Sequence, residues 1–264
     1  MTTKSRILIT RPQAEAEKLA LVLQEQDFEP VLLPAIEIQP YRNDAALNEV
    51  FLTANKLIFV SRNAVKNLLE HHASQLKHFK GAIFAIGEGT ASELYACGIK
   101  EVFYPSPPYT SESLVEMPEL DTILDQQIVI LSGLGGREFL AHTLIERGAD
   151  VTTIATYERQ KVKYTPQQLK KALENTHCTI STSLESLEYL IEIVEPHPAL
   201  KTILLLAPLL VISHNMVNLA EKMGFSNTIM VAHGADDTTI VETLNQWIQN
   251  SNTHPSLKSA ALLS

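Results

Sequence analysis

The chain has 264 residues, 45% of them hydrophobic and 19% charged, with a formal net charge of −9. That length suits two domains of ordinary size, and an acidic balance with no run of basic residues excludes nucleic acid as the main partner. The two cysteines, Cys97 and Cys178, match no metal or redox spacing and suit a reducing compartment. The N-terminus has no apolar signal core. The longest apolar run, residues 203–212, is about half the length of a membrane span and contains Pro208. The expectation is a cytoplasmic protein that does not enter a membrane.

In chain order, residues 6–10 form a short apolar strand that stops at Arg11-Pro12. Pro12 opens a helix through Gln26, carried by Ala16, Leu19, Ala20 and Leu23. Residues 31–33 are a second strand, ended by Pro34. Residues 35–39, between Pro34 and Pro40, alternate apolar and polar and read as an extended connector. A helix over 45–52 leads to a buried strand at 57–60, which runs into Ser61-Arg62-Asn63 and a helix with Ala64, Leu68 and Leu69. The strand at 83–86 ends in Gly87-Glu88-Gly89-Thr90. The helix after it carries Ala91, Leu94 and Tyr95, with Thr90 placed as its cap and Gly98 just past its end.

Residues 101–104 read as a strand closed by Pro105-Ser106-Pro107-Pro108. Thr110-Ser111-Glu112-Ser113 reads as a helix start with an acidic first turn. The strand at 128–131 runs into the turn Ser132-Gly133-Leu134-Gly135-Gly136-Arg137 and a helix with Phe139, Leu140 and Leu144. Residues 151–161 are extended and only half apolar, a second connector. After Pro166 come a helix (Leu169, Leu173), a strand at 179–182 and a helix with Leu184, Leu187, Ile191 and Val194. A strand at 209–213, a helix ended by Gly224, a strand at 228–232 and a helix with Ile240, Leu244, Trp247 and Ile248 complete the pattern. Residues 251–264 read as a disordered tail. About eight buried strands alternating with helices mean α/β architecture with parallel sheets, and more sheet than one small doubly wound domain needs; two such domains are expected.

Doubly wound sheets bind ligands beyond the carboxyl ends of their strands, so the strand-to-helix turns are the candidate surface. Their hydroxyls, glycines and free backbone N–H groups suit an anionic ligand. The turns supply Arg11, Ser61, Asn63, Gly87, Thr90, Gly135, Gly136, Arg137 and Ser183 as candidates, although these residue types also cap helices. Neither glycine-rich turn completes a dinucleotide fingerprint or a phosphate-binding loop. The nine histidines form no metal-binding set, and no nucleophile elbow is present. Tyr157, in the second connector, is the one aromatic residue placed for chemistry.

The order of ILITRP, FVSRNAV, FAIGEGTASEL, PYTSESL, LSGLGGREFL and ATYERQ, with TSLESLEYL and a strand–helix pair over 209–225 after them, resembles the uroporphyrinogen-III synthase family across nearly the whole chain. The resemblance implies two doubly wound parallel-sheet domains joined by a two-stranded connector, the first domain discontinuous. Residues 1–34 and 165–250 would form that first domain, 41–152 the second, and 35–40 and 153–164 the connectors, with 251–264 a tail. It implies closure of hydroxymethylbilane to uroporphyrinogen III with loss of water and inversion of the last pyrrole ring, using no cofactor and no metal. The partner is then a linear tetrapyrrole rich in carboxylates, and the enzyme that supplies it is a candidate docking partner. No self-complementary apolar face stands out, so a monomer is expected.

By the same resemblance Tyr157 matches a family tyrosine that assists loss of the hydroxyl, and Ser61, Asn63, Thr90, Thr110 and Ser111 match ligand-facing positions. Ser132 stands where many relatives have arginine. Ser213-His214-Asn215 replaces a turn often rich in Gly or Thr, so no binding role is carried to it. A two-domain binding module that closes on an acidic small molecule without converting it fits the polar turns and connectors equally well.

Overall fold

The computed structural model of the chain describes residues 4–41, 44–136 and 138–253, with the backbone alone at 251–253. Two units emerge: Met1–Glu37 with Gln160–Ser264, and Ile38–Arg159. The first begins with β1 (Arg6–Ile9), α1 (Gln13–Glu25) and β2 (Glu29–Leu32). The chain then runs through β3 (Ile36–Pro40), α2 (Asp44–Thr53), β4 (Lys56–Phe59), α3 (Arg62–His78), β5 (Ala82–Ala85), α4 (Glu88–Ala96) and α5 (Ser111–Val115). β6 (Gln127–Gly133), α6 (Phe139–Glu146) and β7 (Asp150–Lys161) follow. The return to the first unit adds α7 (Pro166–Leu173), β8 (Cys178–Ile180), α8 (Leu184–Val194), α9 (Pro198–Leu206), β9 (Leu209–Val211), α10 (His214–Met223), β10 (Ile229–Val231) and α11 (Asp237–Thr253).

Each unit holds one five-stranded sheet, ordered β10-β9-β8-β1-β2 and β3-β7-β6-β4-β5. The first is parallel throughout, and β7-β6-β4-β5 is parallel in the second. Alternation along the strands covers both faces with helices. In β1, Leu8 joins one core while Ile7 and Ile9 join the other; in β4, Leu57 and Phe59 oppose Ile58 in the same way. Strand order reverses between β1 and β8 in one sheet and between β4 and β6 in the other. Those are the two places where doubly wound sheets open a ligand crevice.

Several details differ from the sequence reading. Both connector stretches are strands of the second sheet. β7 pairs with β6 from Asp150 to Tyr157, and β3 forms the sheet edge, where its flanking prolines cost no ladder bonds. Bonds from Tyr41 N to Thr156 O (3.0 Å) and from Val162 N to Ala35 O (3.2 Å) run β3 antiparallel to β7. Residues 101–104 are not a strand: only Phe103 bridges to Phe84, and Pro105 cannot extend the ladder. The apolar run 203–212 divides at Pro208 into the end of α9 and all of β9. α9 itself was not foreseen, because an unbroken leucine run carries no period. α11 continues to Thr253, and the rest of the expected tail lies outside the described residues.

One polar contact inside the first unit gives a pH signature. Tyr164 donates to the Pro34 carbonyl at 2.9 Å. Burial, with the Glu37 charge second, pushes its hydroxyl up to about 12. A raised folded-state value on an acid that is neutral when protonated stabilises the fold fully below pH ~10, and this is lost as pH rises toward ~12. Tyr164→Phe should therefore flatten the alkaline fall in stability measured by urea unfolding; an unchanged slope would remove Tyr164 as its source.

Candidate active site

In the second unit the carboxyl ends of β5, β4, β6 and β7 lie side by side, and the central feature there is Tyr157. Its side chain is 1% exposed, more buried than the half-exposed strand position expected from sequence. The parallel register of β6 and β7 shifts between Ser132 and Gly133, so that Gly133 faces Tyr157. A Cβ on Gly133 would lie 2.7 Å from the Tyr157 Cζ and 3.0 Å from its hydroxyl oxygen. Only glycine lets the ring cross β6. The crossing brings the hydroxyl to the end of β4, where Ser61 donates to it at 3.0 Å. Arg159 Nη2 also donates to that oxygen at 3.2 Å, and the guanidinium carbon sits 5.5 Å from the ring centroid. Ser61 Oγ meanwhile accepts from Ala64 N at 3.1 Å and so caps α3. Two donors thus converge on the phenolic oxygen. Among the described residues it donates to none.

Beside this group, α4 starts at Gly87 with no side-chain cap. Thr90 is not the cap that its sequence position suggested. It is buried three residues inside the N-cap, and its backbone N–H reaches the Gly87 carbonyl at 3.1 Å. Gly87 leaves room for Tyr109, whose Cβ would lie 2.6 Å from a Gly87 Cβ. The Tyr109 hydroxyl donates to Glu88 at 3.0 Å, and this bond, with lesser help from desolvation, raises its pKa. Arg62 is exposed, its side chain 3.8 Å from a Cβ built on Gly89. The Asn63 side chain makes no hydrogen bond among the described residues. Thr110 caps α5 by accepting from Ser113 N at 3.2 Å, as its sequence position suggested, and Ser111 opens that helix. Gly135 takes φ +73° with open space where a side chain would be, and Gly136 follows it. Arg137 lies outside the described residues.

Arg11 and Ser183 belong to the other unit, and both side chains are engaged within it. Arg11 was expected to bind an anion. Instead it is 7% exposed and bound internally, with Nη1 on Asp237 at 2.6 Å, Nη2 on the Ala235 carbonyl and Nε on Thr182 at 3.3 Å. The Ser183 hydroxyl accepts from Ser186 N at 3.1 Å and caps α8.

Sequence reasoning missed Gly133 and Arg159. A glycine at the end of an apolar strand marks a close approach, and Arg159, two residues after Tyr157 on a strand, shares its face. Among the described residues, no group of three or more His, Cys, Asp or Glu is gathered to hold a metal ion. No described helix is long and apolar enough to cross a membrane.

The family model for uroporphyrinogen-III synthase HemD matches residues 17–241. Uroporphyrinogen-III synthase of Escherichia coli (strain K12) is 30% identical over 245 residues, spanning 90% of this chain and 99% of that protein. The protein of the same name from Proteus mirabilis is 31% identical over 180 residues, 64% of this chain and 87% of that one. Among solved structures, uroporphyrinogen-III synthetase from Helicobacter pylori 26695 aligns with a TM-score of 0.66 at 17% identity, over 92% of this chain and 99% of that one. A mutant uroporphyrinogen III synthase from the extremely thermophilic bacterium Thermus thermophilus gives 0.57 at 15% identity, over 93% and 99%. At such identities the structural likeness bears on the fold.

Proposed function

The chain belongs to the uroporphyrinogen-III synthase family, and from that premise we infer how its own residues close hydroxymethylbilane to uroporphyrinogen III. The observation that carries the reading is the Tyr157 hydroxyl. It accepts from Ser61 and Arg159, which leaves its proton directed away from both. Tyr157 gives that proton to the substrate's hydroxyl as the hydroxymethyl C–O bond breaks, and the oxygen leaves as water. The electron-poor carbon left behind is attacked by the terminal pyrrole, a spiro intermediate forms, and that ring reopens and recloses inverted. The closing carbon then loses a proton, and the phenolate takes one back, so the enzyme returns to its starting state. With 1% of Tyr157 exposed, the groups around it part before substrate meets the hydroxyl, a gating step of the kind many enzymes use.

The substrate's carboxylates are received by charge placed locally in a chain of net charge −9. The uncapped start of α4 offers backbone N–H groups, Arg62 stands beside Gly89, and Asn63, Thr90, Gly135 and Gly136 follow the ends of β4, β5 and β6, with Ser111 at the start of α5. Ser61 and Thr110 act by holding helix starts, and Ser61 also by orienting Tyr157.

The direct test is the decay of hydroxymethylbilane generated in situ. Its rate should rise in proportion to added protein. Saturable binding with an unchanged decay rate would make this a binding module and not an enzyme. Within the same assay Gly133→Ala should cost about a hundredfold in turnover, since a displacement of roughly 1 Å at the reacting group has that effect. Full activity in the alanine variant would show that the Tyr157 ring does not need its seat on Gly133.

A further inference from the structure

We propose that Arg159 is a positioning residue for Tyr157: its guanidinium aims the phenolic proton and balances the negative charge that the oxygen carries once the proton has left. The inference rests on the reading of Tyr157 as proton donor.

Three observations support it. Arg159 Nη2 lies 3.2 Å from the phenolic oxygen, and its guanidinium carbon 5.5 Å from the ring centroid, so the cation donates to the oxygen and stands within cation–π range of the ring. The oxygen is formed into an anion where the side chain is 1% exposed, and an ion away from water requires a nearby opposite charge. Ser61, the other donor, is neutral, so among the described residues Arg159 is the cation that touches this oxygen. The arrangement also saturates geometry. With both acceptor sites of the hydroxyl filled by Ser61 and Arg159, the O–H points to the remaining direction, where a departing hydroxyl can receive it.

The step is balanced. The phenol O–H bond breaks, a proton joins the departing hydroxyl, and the guanidinium stays protonated throughout. Arg159 therefore supplies charge and direction and exchanges no proton.

The experiment is a double-mutant cycle on kcat and KM with Arg159→Met, Tyr157→Phe and the pair together, and with Arg159→Lys as the conservative variant. Arg159→Met should lower kcat about tenfold to a hundredfold, the effect of a lost charge-assisted hydrogen bond, with KM within about twofold. Arg159→Lys should recover part of that loss. The pair should be no slower than Tyr157→Phe alone, because Arg159 acts through an oxygen that the phenylalanine lacks. Multiplying losses in the pair, or a loss confined to KM, would mean that Arg159 meets the substrate or serves the fold, and would overturn the proposal. An unimpaired Arg159→Met beside a slow Tyr157→Phe would sink this inference alone. An unimpaired Tyr157→Phe would remove the reading beneath it. Thermal melting of each variant separates folding losses from these outcomes.

Discussion

Tyr157→Phe should reduce kcat by about a hundredfold to ten-thousandfold, the range contributed by a positioned general acid, with little change in KM. The phenylalanine ring keeps its seat over Gly133, because the contact there is with ring carbons as well as with the oxygen. Ser61 keeps its cap on α3 through Ala64 N, so the start of that helix stays in place. What disappears is the acceptor for Ser61 and Arg159 and the proton itself. Ser61 is half-buried and Arg159 exposed, so water replaces the lost acceptor and only a modest fall in Tm accompanies the loss of rate. Steady-state kinetics beside thermal melting checks both parts. A variant that turns over at the parent rate would take Tyr157 out of the chemistry.

Arg11→Ala should give the largest stability loss of any single change at the strand ends of the first unit. Arg11 is 7% exposed and fastens the end of β1 to the start of α11 and to Thr182 after β8. Removing it leaves the Asp237 carboxylate without its partner and the Ala235 carbonyl without its donor. A fully buried pair broken this way costs ~3–5 kcal/mol, and the 31% exposure of Asp237 lets water take part of the load, so ~2–3 kcal/mol is expected. In a unit of this size the corresponding fall in Tm is roughly 5–10 °C. Differential scanning calorimetry reads it. A raised KM with unchanged Tm would instead restore Arg11 to the role its sequence position suggested, a contact to a substrate carboxylate.

The contrast between these two residues shows what the sequence makes legible. Arg11 lies just after an apolar strand, and the strand pattern alone placed it at the end where doubly wound sheets bind ligands, whereas Tyr157 stood in a half-apolar connector that the pattern did not assign to a sheet. The family resemblance then singled out Tyr157. Their partners were not legible. Asp237 is 226 positions from Arg11 and Ser61 is 96 from Tyr157, separations at which no local period connects two residues. The serines and threonines of the turns were ambiguous between capping and binding for the same reason. Ser61, Ser183 and Thr110 turn out to cap helices, whereas the side chains of Asn63 and Ser111 do not bond within the described residues. β3 and β7 read as connectors because their pattern is half polar, as an edge strand and a strand leaving its sheet must be. α9 was lost in a leucine run that pointed equally to helix and strand.

The most direct measurement is the identity of the product. Hydroxymethylbilane is generated in situ, the protein is added, and the oxidised porphyrins are separated by isomer. Isomer III in excess, formed at a rate set by protein concentration and lost in Tyr157→Phe, is the expected result. Isomer I alone, at the rate seen without protein, would contradict the account at its centre.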